Sequence, residues 1–160
     1  MDTKMTFEPF NDFRKMALLT AGTPDDYNTM TIAWGALGTI WSKPACTVYV
    51  RPSRYTLEFL NKNDYFTVSF FDTNQKDLGY LGRVSGRDED KVAATSLTPV
   101  PAGEAGVTFA EAYRTLVCKK RYKQLMDGDA FPTDVIDAFY SGEDTGNVHY
   151  LFIGEVVDVL

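Results

Sequence analysis

Apolar residues that alternate with polar ones, or that form short runs bounded by turns, predict six β-strands. In the third of them, Cys46, Val48 and Val50 share one face of an extended chain, and the residues between them share the other. A period of two is typical of a sheet that turns one face toward a core. The predicted strands are residues 16–22, 28–34, 46–51, 65–71, 114–122 and 149–160.

Apolar residues spaced for one face of a helix predict four short helices between these strands, and residues typical of helix ends mark where they begin and end. Ser53 is the predicted N-cap of the first, and acidic residues at the start of the third suit a helix N-terminus. The helices are predicted at residues 53–63, 73–84, 86–97 and 132–142, with loops at 98–106 and 141–147. Strands joined by small helices predict a mainly β protein, most simply a small barrel without exposed edges.

The length and the net charge of the chain limit the classes of protein to which it can belong. With 160 residues the chain fits one domain, residues 1–160. Its net charge of −6 argues against nucleic-acid binding, including an OB-like binder, and residues 118–123 are the only basic run. That run is interpreted as a solvated strand edge. Since the chain has no long apolar run and no apolar signal core, we expect a cytoplasmic protein without a membrane partner.

The residues that most often bind metals are few. Cys46 and Cys118 lie in apolar, strand-like segments and are interpreted as buried free thiols, with a redox role or a disulfide as the alternatives. His149 is the only histidine, and no metal-ligand spacing occurs. We therefore predict no metal site.

The stretch YNTMTIAWGALGTIWSKP, residues 27–44, is unusual for a hydrophobic core. It contains both tryptophans of the chain, Trp34 and Trp41, with Tyr27, four Thr or Ser hydroxyls, two glycines and one charge. A surface that binds a flat aromatic ligand would have this composition. The alternative is an aromatic core cluster, and this is the interpretation preferred for Trp41.

Two other segments carry polar residues that a barrel does not need. In RPSRYT, Arg51 and Arg54 accompany hydroxyls between a strand and a helix, which predicts a site for a dianion; surface ion pairs are the alternative. In SGRDEDK, a turn at Ser85 and Gly86 precedes acidic residues and Lys91, and this polar segment is interpreted as part of a ligand site. A capped surface helix is the alternative interpretation.

Five motifs in order carry a resemblance over nearly the whole chain. They are NTMTIAWG, KPACTVYVRPSRYTLEFL, YFTVSFFD, SGRDEDK and HYLFIGEVV. In them the chain resembles the flavin reductase-like family, and within it the flavoredoxin branch of FMN-binding split barrels. Arg83 and the segment 125–134 depart from the common family pattern, and these departures concern the substrate side of the site more than the FMN site.

The resemblance implies a split β-barrel that forms a homodimer and binds FMN at or near the subunit interface. It implies that one strand runs along the flavin, with Tyr27 and Trp34 shielding the ring. The residues implied for that strand are Asn28, Thr29, Met30, Thr31, Ala33 and Trp34. Those implied for the phosphate are Arg51, Ser53, Arg54, Tyr55 and Thr56. Ser85, Gly86, Lys91 and His149 complete the predicted cofactor site.

The resemblance also implies an activity. It is that of an NAD(P)H-dependent flavin reductase, in which electrons pass from a transiently bound nicotinamide dinucleotide through FMN to an acceptor. Because the flavin carries the chemistry, we predict no catalytic side chain. The alternatives are a flavoredoxin-type electron carrier with a redox protein as its partner, and a ligand-binding barrel without redox turnover.

Overall fold

The computed structural model describes residues 4–103 and 106–160, and strands dominate it. Seven strands form one antiparallel sheet: β1 (Ala17–Thr23), β2 (Asp26–Ile32), β3 (Gly35–Ile40), β4 (Lys43–Val50), β5 (Tyr65–Phe70), β8 (Arg114–Leu125) and β9 (Tyr150–Val159). A separate two-stranded sheet contains β6 (Pro99–Pro101) and β7 (Val107–Phe109). The helices are α1 (Thr56–Lys62), α2 (Gln75–Arg83) and α3 (Thr133–Phe139).

The order of the strands explains why the sheet curves into a split barrel. The order is β2-β1-β5-β8-β9-β4-β3, so the two edge strands, β2 and β3, follow one another in the chain. Only Ala33 and Trp34 separate them. The two ends of the sheet must therefore meet at these residues, and the predicted mainly β split barrel is confirmed.

Apolar side chains fill both sides of the strands that carry the core. The main cluster contains Leu19 of β1, Val68 of β5 and Phe152 of β9. A second cluster, on the other face of β1, joins Leu18 to Leu78 of α2. Because both faces of β1 are covered, its apolar residues fall on both faces and do not alternate with polar ones.

The predicted strands correspond to β1, β2, β4, β5, β8 and β9, with shifted ends, but β3 was not predicted. It contains Gly35 and Gly38, and the turn into β4 uses Trp41 and Ser42 with positive φ angles of 53° and 56°. Hairpin turns with such angles favour Asn and Gly, so this sequence carries no turn signal. Trp41 is 56% exposed at this turn, and its interpretation as a core residue was wrong.

The predicted helix at residues 86–97 was also wrong, since these residues form turns. Side chains there bind backbone N–H groups that a helix would use: Ser85 accepts from Arg87, and Asp90 accepts from Ala93. Such local bonds compete with helix formation.

The ends of the other helices differ from the prediction as well. Ser53 is not an N-cap, because α1 begins at Thr56 after a turn at Arg51–Arg54. The predicted loop 98–106 contains β6, and its residues 104 and 105 lie outside the described residues. The predicted loop 141–147 contains a short 3-10 helix, Gly142–Asp144.

Cys46 and Cys118 are both buried and free, as the sequence predicted, and the alternative of a disulfide was wrong. Among residues 4–103 and 106–160, no helix has the length and apolar character needed to cross a membrane.

Gly154 of β9 lies in a tightly packed part of the barrel interior. A Cβ atom added there would lie 2.6 Å from Cζ of Phe66 and 2.7 Å from Cβ of Cys118. We expect Gly154→Ala to lower the free energy of unfolding by about 1–3 kcal/mol, because the core cannot shift without strain. Urea unfolding measures this change.

The matched control is Gly38→Ala on β3, where an added Cβ would meet no atom within 4 Å. We expect this variant to change the free energy of unfolding by less than about 0.5 kcal/mol. Equal losses in the two variants would show that Gly154 is not under a packing constraint.

Candidate functional site

A large cleft opens where the two ends of the sheet meet. It has a volume of about 490 Å³ and lies beside the bend between β2 and β3, the end of β4 and the start of β9. Its lining residues are Met30, Thr31, Ile32, Ala33, Trp34, Tyr49, Arg51, Ser53, Arg54, Asp144 and His149.

A smaller recess of about 80 Å³ adjoins this cleft and shares Met30, Ser53 and Arg54 with it. The recess lies between the start of α1 and the turn that follows α2. Its other lining residues are Asn28, Tyr55, Thr56, Arg83, Val84, Ser85, Gly86 and Lys91. None of the described residues that line the recess is acidic, whereas Arg54, Arg83 and Lys91 are cationic, so the recess is suited to an anion.

The end of α2 holds two of these cations. Lys91 is buried, and its Nζ donates to the carbonyl oxygens of Leu81 and Val84, each at 3.0 Å. The two terminal nitrogens of Arg54 donate to the carbonyl oxygen of Gly82 at 3.2 Å. Cations are favourable at the C-terminal end of a helix, where carbonyl groups lack helical partners.

The two cations repel one another. Burial, and to a smaller extent Arg54, lowers the pKa of Lys91 from 10.5 to about 8. Burial and the nearby Arg51 lower the pKa of Arg54. A bound anion would relieve both the repulsion and the lost hydration.

Asn28 and Gly86 form the wall of the recess next to α1. Asn28 Nδ2 donates to Oγ1 of Thr56 at 2.8 Å, which fixes the start of α1 against β2. A Cβ atom at Gly86 would lie 2.2 Å from Oδ1 of Asn28, so this close approach needs glycine.

Arg51 lies in the cleft, outside the recess. Its Nη1 donates to the carbonyl oxygen of Asn147 and its Nη2 to that of Phe139, both at 3.0 Å. The carboxylate of Asp144 lies 3.6 Å from Nη1. Arg51 therefore joins the end of β4 to the segment between β8 and β9.

Aromatic groups form the opposite wall of the cleft. The ring of Trp34 lies 5.2 Å from that of His149 and 5.2 Å from that of Phe139, measured between centroids. The hydroxyl of Tyr140 lies 2.7 Å from Nδ1 of His149. Burial, and then the charge of Arg51, lowers the pKa of His149 to about 4, so the imidazole is neutral near pH 7.

The structure brings together nearly all the residues predicted for the cofactor. Each of them lines the cleft or the recess except Thr29, which is buried with its hydroxyl 2.8 Å from that of Thr20. Tyr27, predicted to shield the ring, lines another cavity of about 350 Å³ together with Asp25 and Asp26. This cavity adjoins the recess and shares Asn28, Tyr55, Gly86 and Lys91 with it.

Sequence reasoning missed five lining residues: Ile32, Tyr49, Arg83, Val84 and Asp144. Tyr49 was assigned to a strand face without a role, although its position two residues before Arg51 indicates the same end of β4. Arg83 was noted only as a departure, although it lies two residues before the predicted turn at Ser85 and Gly86. Asp144 had no signal, because its position depends on how its loop folds back.

An antiparallel split barrel with a cationic recess opening into a larger cleft defines the class of flavin reductase-like split barrels. The chain belongs to this family: residues 14–160 match the flavin reductase like domain. No protein with a curated function matches its sequence.

Several solved structures share the fold. A flavoredoxin from Methanosarcina acetivorans is 23% identical, with a TM-score of 0.68, and the alignment covers 99% of this chain and 75% of that one. An FMN-binding protein from Thermus thermophilus with bound 1-cyclohex-2-enone is 23% identical, with a TM-score of 0.69 and coverage of 100% and 80%.

A third similar structure is an NADH:FAD oxidoreductase from Streptomyces globisporus. It is 19% identical, with a TM-score of 0.65 and coverage of 91% of this chain and 68% of that one. At these levels of identity the similarities establish the fold.

The lowered pKa of Lys91 predicts a pH dependence of stability. Between about pH 8 and 10.5 the unfolded state binds more protons at this residue than the folded state does, so the free energy of unfolding rises with pH. Lys91→Met removes this contribution. We expect the wild type to gain stability relative to the variant across this interval, as measured by urea unfolding at several pH values.

Subtracting the profile of the variant cancels the other titrating groups. Parallel profiles from pH 7 to 11 would show that Lys91 has an ordinary pKa in the folded protein.

Proposed function

We propose that the protein binds FMN, with the phosphate in the recess and the isoalloxazine ring in the cleft. The observation that carries this proposal is the set of cations in the recess. In a chain of net charge −6, Arg54, Arg83 and Lys91 line one small recess without a carboxylate among its described residues. Such a site compensates the dianionic phosphate of FMN, which is largely ionised at pH 7 because its second pKa is about 6.

The phosphate would meet both charged and neutral donors in the recess. Arg54 and Lys91 supply charge from the end of α2, and the hydroxyls of Ser53, Thr56 and Ser85 supply hydrogen bonds. Gly86 lets the side chain of Asn28 pack closely against the backbone at the wall of the recess. This is the donor set that a phosphate monoester needs when it leaves water.

The ring would lie along the end of β2. The cleft volume of about 490 Å³ falls within the range of cofactor sites. Thr31 and Ala33 would border the ring, with Trp34 and His149 on one side. Trp34 is 45% exposed, so it supplies a ring face that remains open to a ligand.

We further propose that the protein is an NAD(P)H-dependent flavin reductase. Bound FMN supplies hydride acceptance and electron transfer, and the residues of the chain bind and orient it. A neutral His149 adds no positive charge to the cleft, and the open aromatic wall leaves space for a nicotinamide. The similarity to a NADH:FAD oxidoreductase supports this assignment.

The similarity to a flavoredoxin favours a second candidate, an electron carrier that retains FMN and exchanges electrons with a redox protein. Oxidation of NADH or NADPH in the presence of free FMN separates the two. A reductase accelerates it, whereas a carrier does not.

The test of FMN binding is a pair of titrations, with FMN and with riboflavin, on the flavin-free wild type and on Arg54→Ala. A charge-assisted hydrogen bond contributes about 1.5–3 kcal/mol, so we expect the variant to lose about one to two decades of affinity for FMN. Its affinity for riboflavin, which lacks the phosphate, should change less than about threefold.

Arg14→Ala is the matched control, because Arg14 is an exposed arginine that lines neither the cleft nor the recess. Equal losses for the two flavins in Arg54→Ala would place the phosphate elsewhere. Failure of the wild type to bind either flavin would reject the proposed function.

We also propose a homodimer, through the outward face of β3, β4 and β9. On these strands Cys46, Val48 and Phe152 point into the core, so the residues between them point outward. The outward residues are mostly small or apolar: Ala36, Gly38, Ala45, Thr47, Leu151 and Ile153. This face continues into the cleft at Tyr49, so a second copy packed there would border the cofactor.

Ile153 is half-buried on this face and pairs with Thr47 of β4. We expect the wild type to sediment as a dimer at micromolar concentration and Ile153→Glu as a folded monomer, because two buried carboxylates would face each other across a two-fold axis. Circular dichroism controls for folding. A wild type that is monomeric throughout this concentration range would contradict the proposal.

A further inference from the structure

The segment between β8 and β9 forms one wall of the cleft. It leaves the sheet after Leu125 and returns at Tyr150. Asp144 and His149 line the cleft directly, and Phe139 of α3 packs edge-on against Trp34. We call residues 132–149 the wall segment. Only its first residues, 132–134, belong to the segment 125–134 that departs from the common family pattern.

Arg51 is the main polar attachment of the wall segment to the barrel. It donates to the carbonyl oxygens of Phe139 and Asn147, which lie eight residues apart, and so fixes two points of the segment at once. Its guanidinium also lies over the ring of Tyr140, 5.1 Å from the centroid. The side chain of Asn147 adds a 3.0 Å hydrogen bond to Oγ of Ser53.

These contacts leave Arg51 badly placed to bind a phosphate in the recess. It does not line the recess, whereas Arg54 lines both the recess and the cleft. Each terminal nitrogen of Arg51 already donates to a backbone carbonyl, and the carboxylate of Asp144 lies 3.6 Å from one of them. A phosphate would have to compete with that carboxylate.

We propose that Arg51 is a positioning residue, which holds the wall segment against the cleft and thereby shapes the ring site, while Arg54 binds the phosphate. The sequence had assigned both arginines to the phosphate. This division rests on the proposed function for the identity of the ligand, but the attachment of the wall segment is independent of it.

The position of His149 depends on the same attachment. The Tyr140 ring packs under Arg51, and the hydroxyl of Tyr140 lies 2.7 Å from Nδ1 of His149. Two successive contacts thus connect Arg51, through Tyr140, to the imidazole that lines the cleft. The charged groups around His149 are Arg51, Arg54 and Asp144, and burial is the largest cause of its low pKa.

Arg51→Lys tests the proposal, because lysine keeps the charge but lacks the planar fork that reaches two carbonyl oxygens. We expect affinity for FMN and for riboflavin to fall by the same factor, about tenfold. Arg54→Ala, by contrast, should lose FMN affinity alone. A role in phosphate binding would leave riboflavin affinity unchanged in Arg51→Lys.

Two measurements on the flavin-free protein decide the role of Arg51 without any ligand. Hydrogen exchange of the wall segment should be faster in Arg51→Lys than in the wild type, while exchange in β5 stays unchanged. His149 is the only histidine, so its NMR titration is unambiguous. We expect its pKa to rise from about 4 toward 6.5 as the loosened wall admits water.

Asn147→Ala serves as a milder variant, since it removes the side-chain bond to Ser53 and leaves Arg51 in place. It should change exchange and the His149 pKa in the same direction by a smaller amount. Unchanged exchange and an unchanged His149 pKa in Arg51→Lys, with loss of FMN affinity alone, would overturn the proposal. If the wild type binds no flavin, the proposed function fails, and the two flavin-free measurements still decide the role of Arg51.

Discussion

The site depends on the way the C-terminal end of α2 holds two cations. The carbonyl oxygens of Leu81, Gly82 and Val84 accept from Lys91 and Arg54, which would otherwise repel one another in a partly buried recess. These bonds hold Lys91 within the fold although its charge is disfavoured there, as its pKa of about 8 shows. The end of a helix stabilises cations, and here it presents them to an adjoining cleft.

The rest of the fold positions this helix end. Gly82 packs on Thr31 of β2, with an added Cβ only 3.2 Å from Cβ of Thr31, and the hydroxyl of Thr31 donates to the carbonyl oxygen of Leu78. The same strand carries Asn28, which fixes the start of α1 through Thr56. One strand therefore aligns the cationic recess with the cleft at the bend between β2 and β3.

Much of this arrangement was predictable from the sequence. Alternating apolar and polar residues predicted the strands that turn one face toward the core. The family motifs predicted almost every residue of the recess. β3 was missed because its pairing with β4 stabilises a glycine-containing strand that has no turn signal. The helix predicted at residues 86–97 was wrong because Ser85 and Asp90 bind local backbone groups there.

The sequence could not predict that Arg51 and Arg54 have different surroundings. Arg51 and Arg54 lie three residues apart and look equivalent in RPSRYT. Their partners, the carbonyl oxygens of Asn147 and Gly82, are 96 and 28 residues away in the chain. Only the folded positions of the wall segment and of α2 distinguish a residue that shapes the cleft from one that lines the recess.

A crystal structure of the protein with FMN tests the central claim most directly. The account predicts the phosphate in the recess within hydrogen-bond distance of Arg54 and Lys91, and the ring in the cleft beside Trp34. A phosphate bound among Asp25, Asp26 and Tyr27 in the adjoining cavity, or a recess without FMN in crystals grown at saturating FMN, would contradict it.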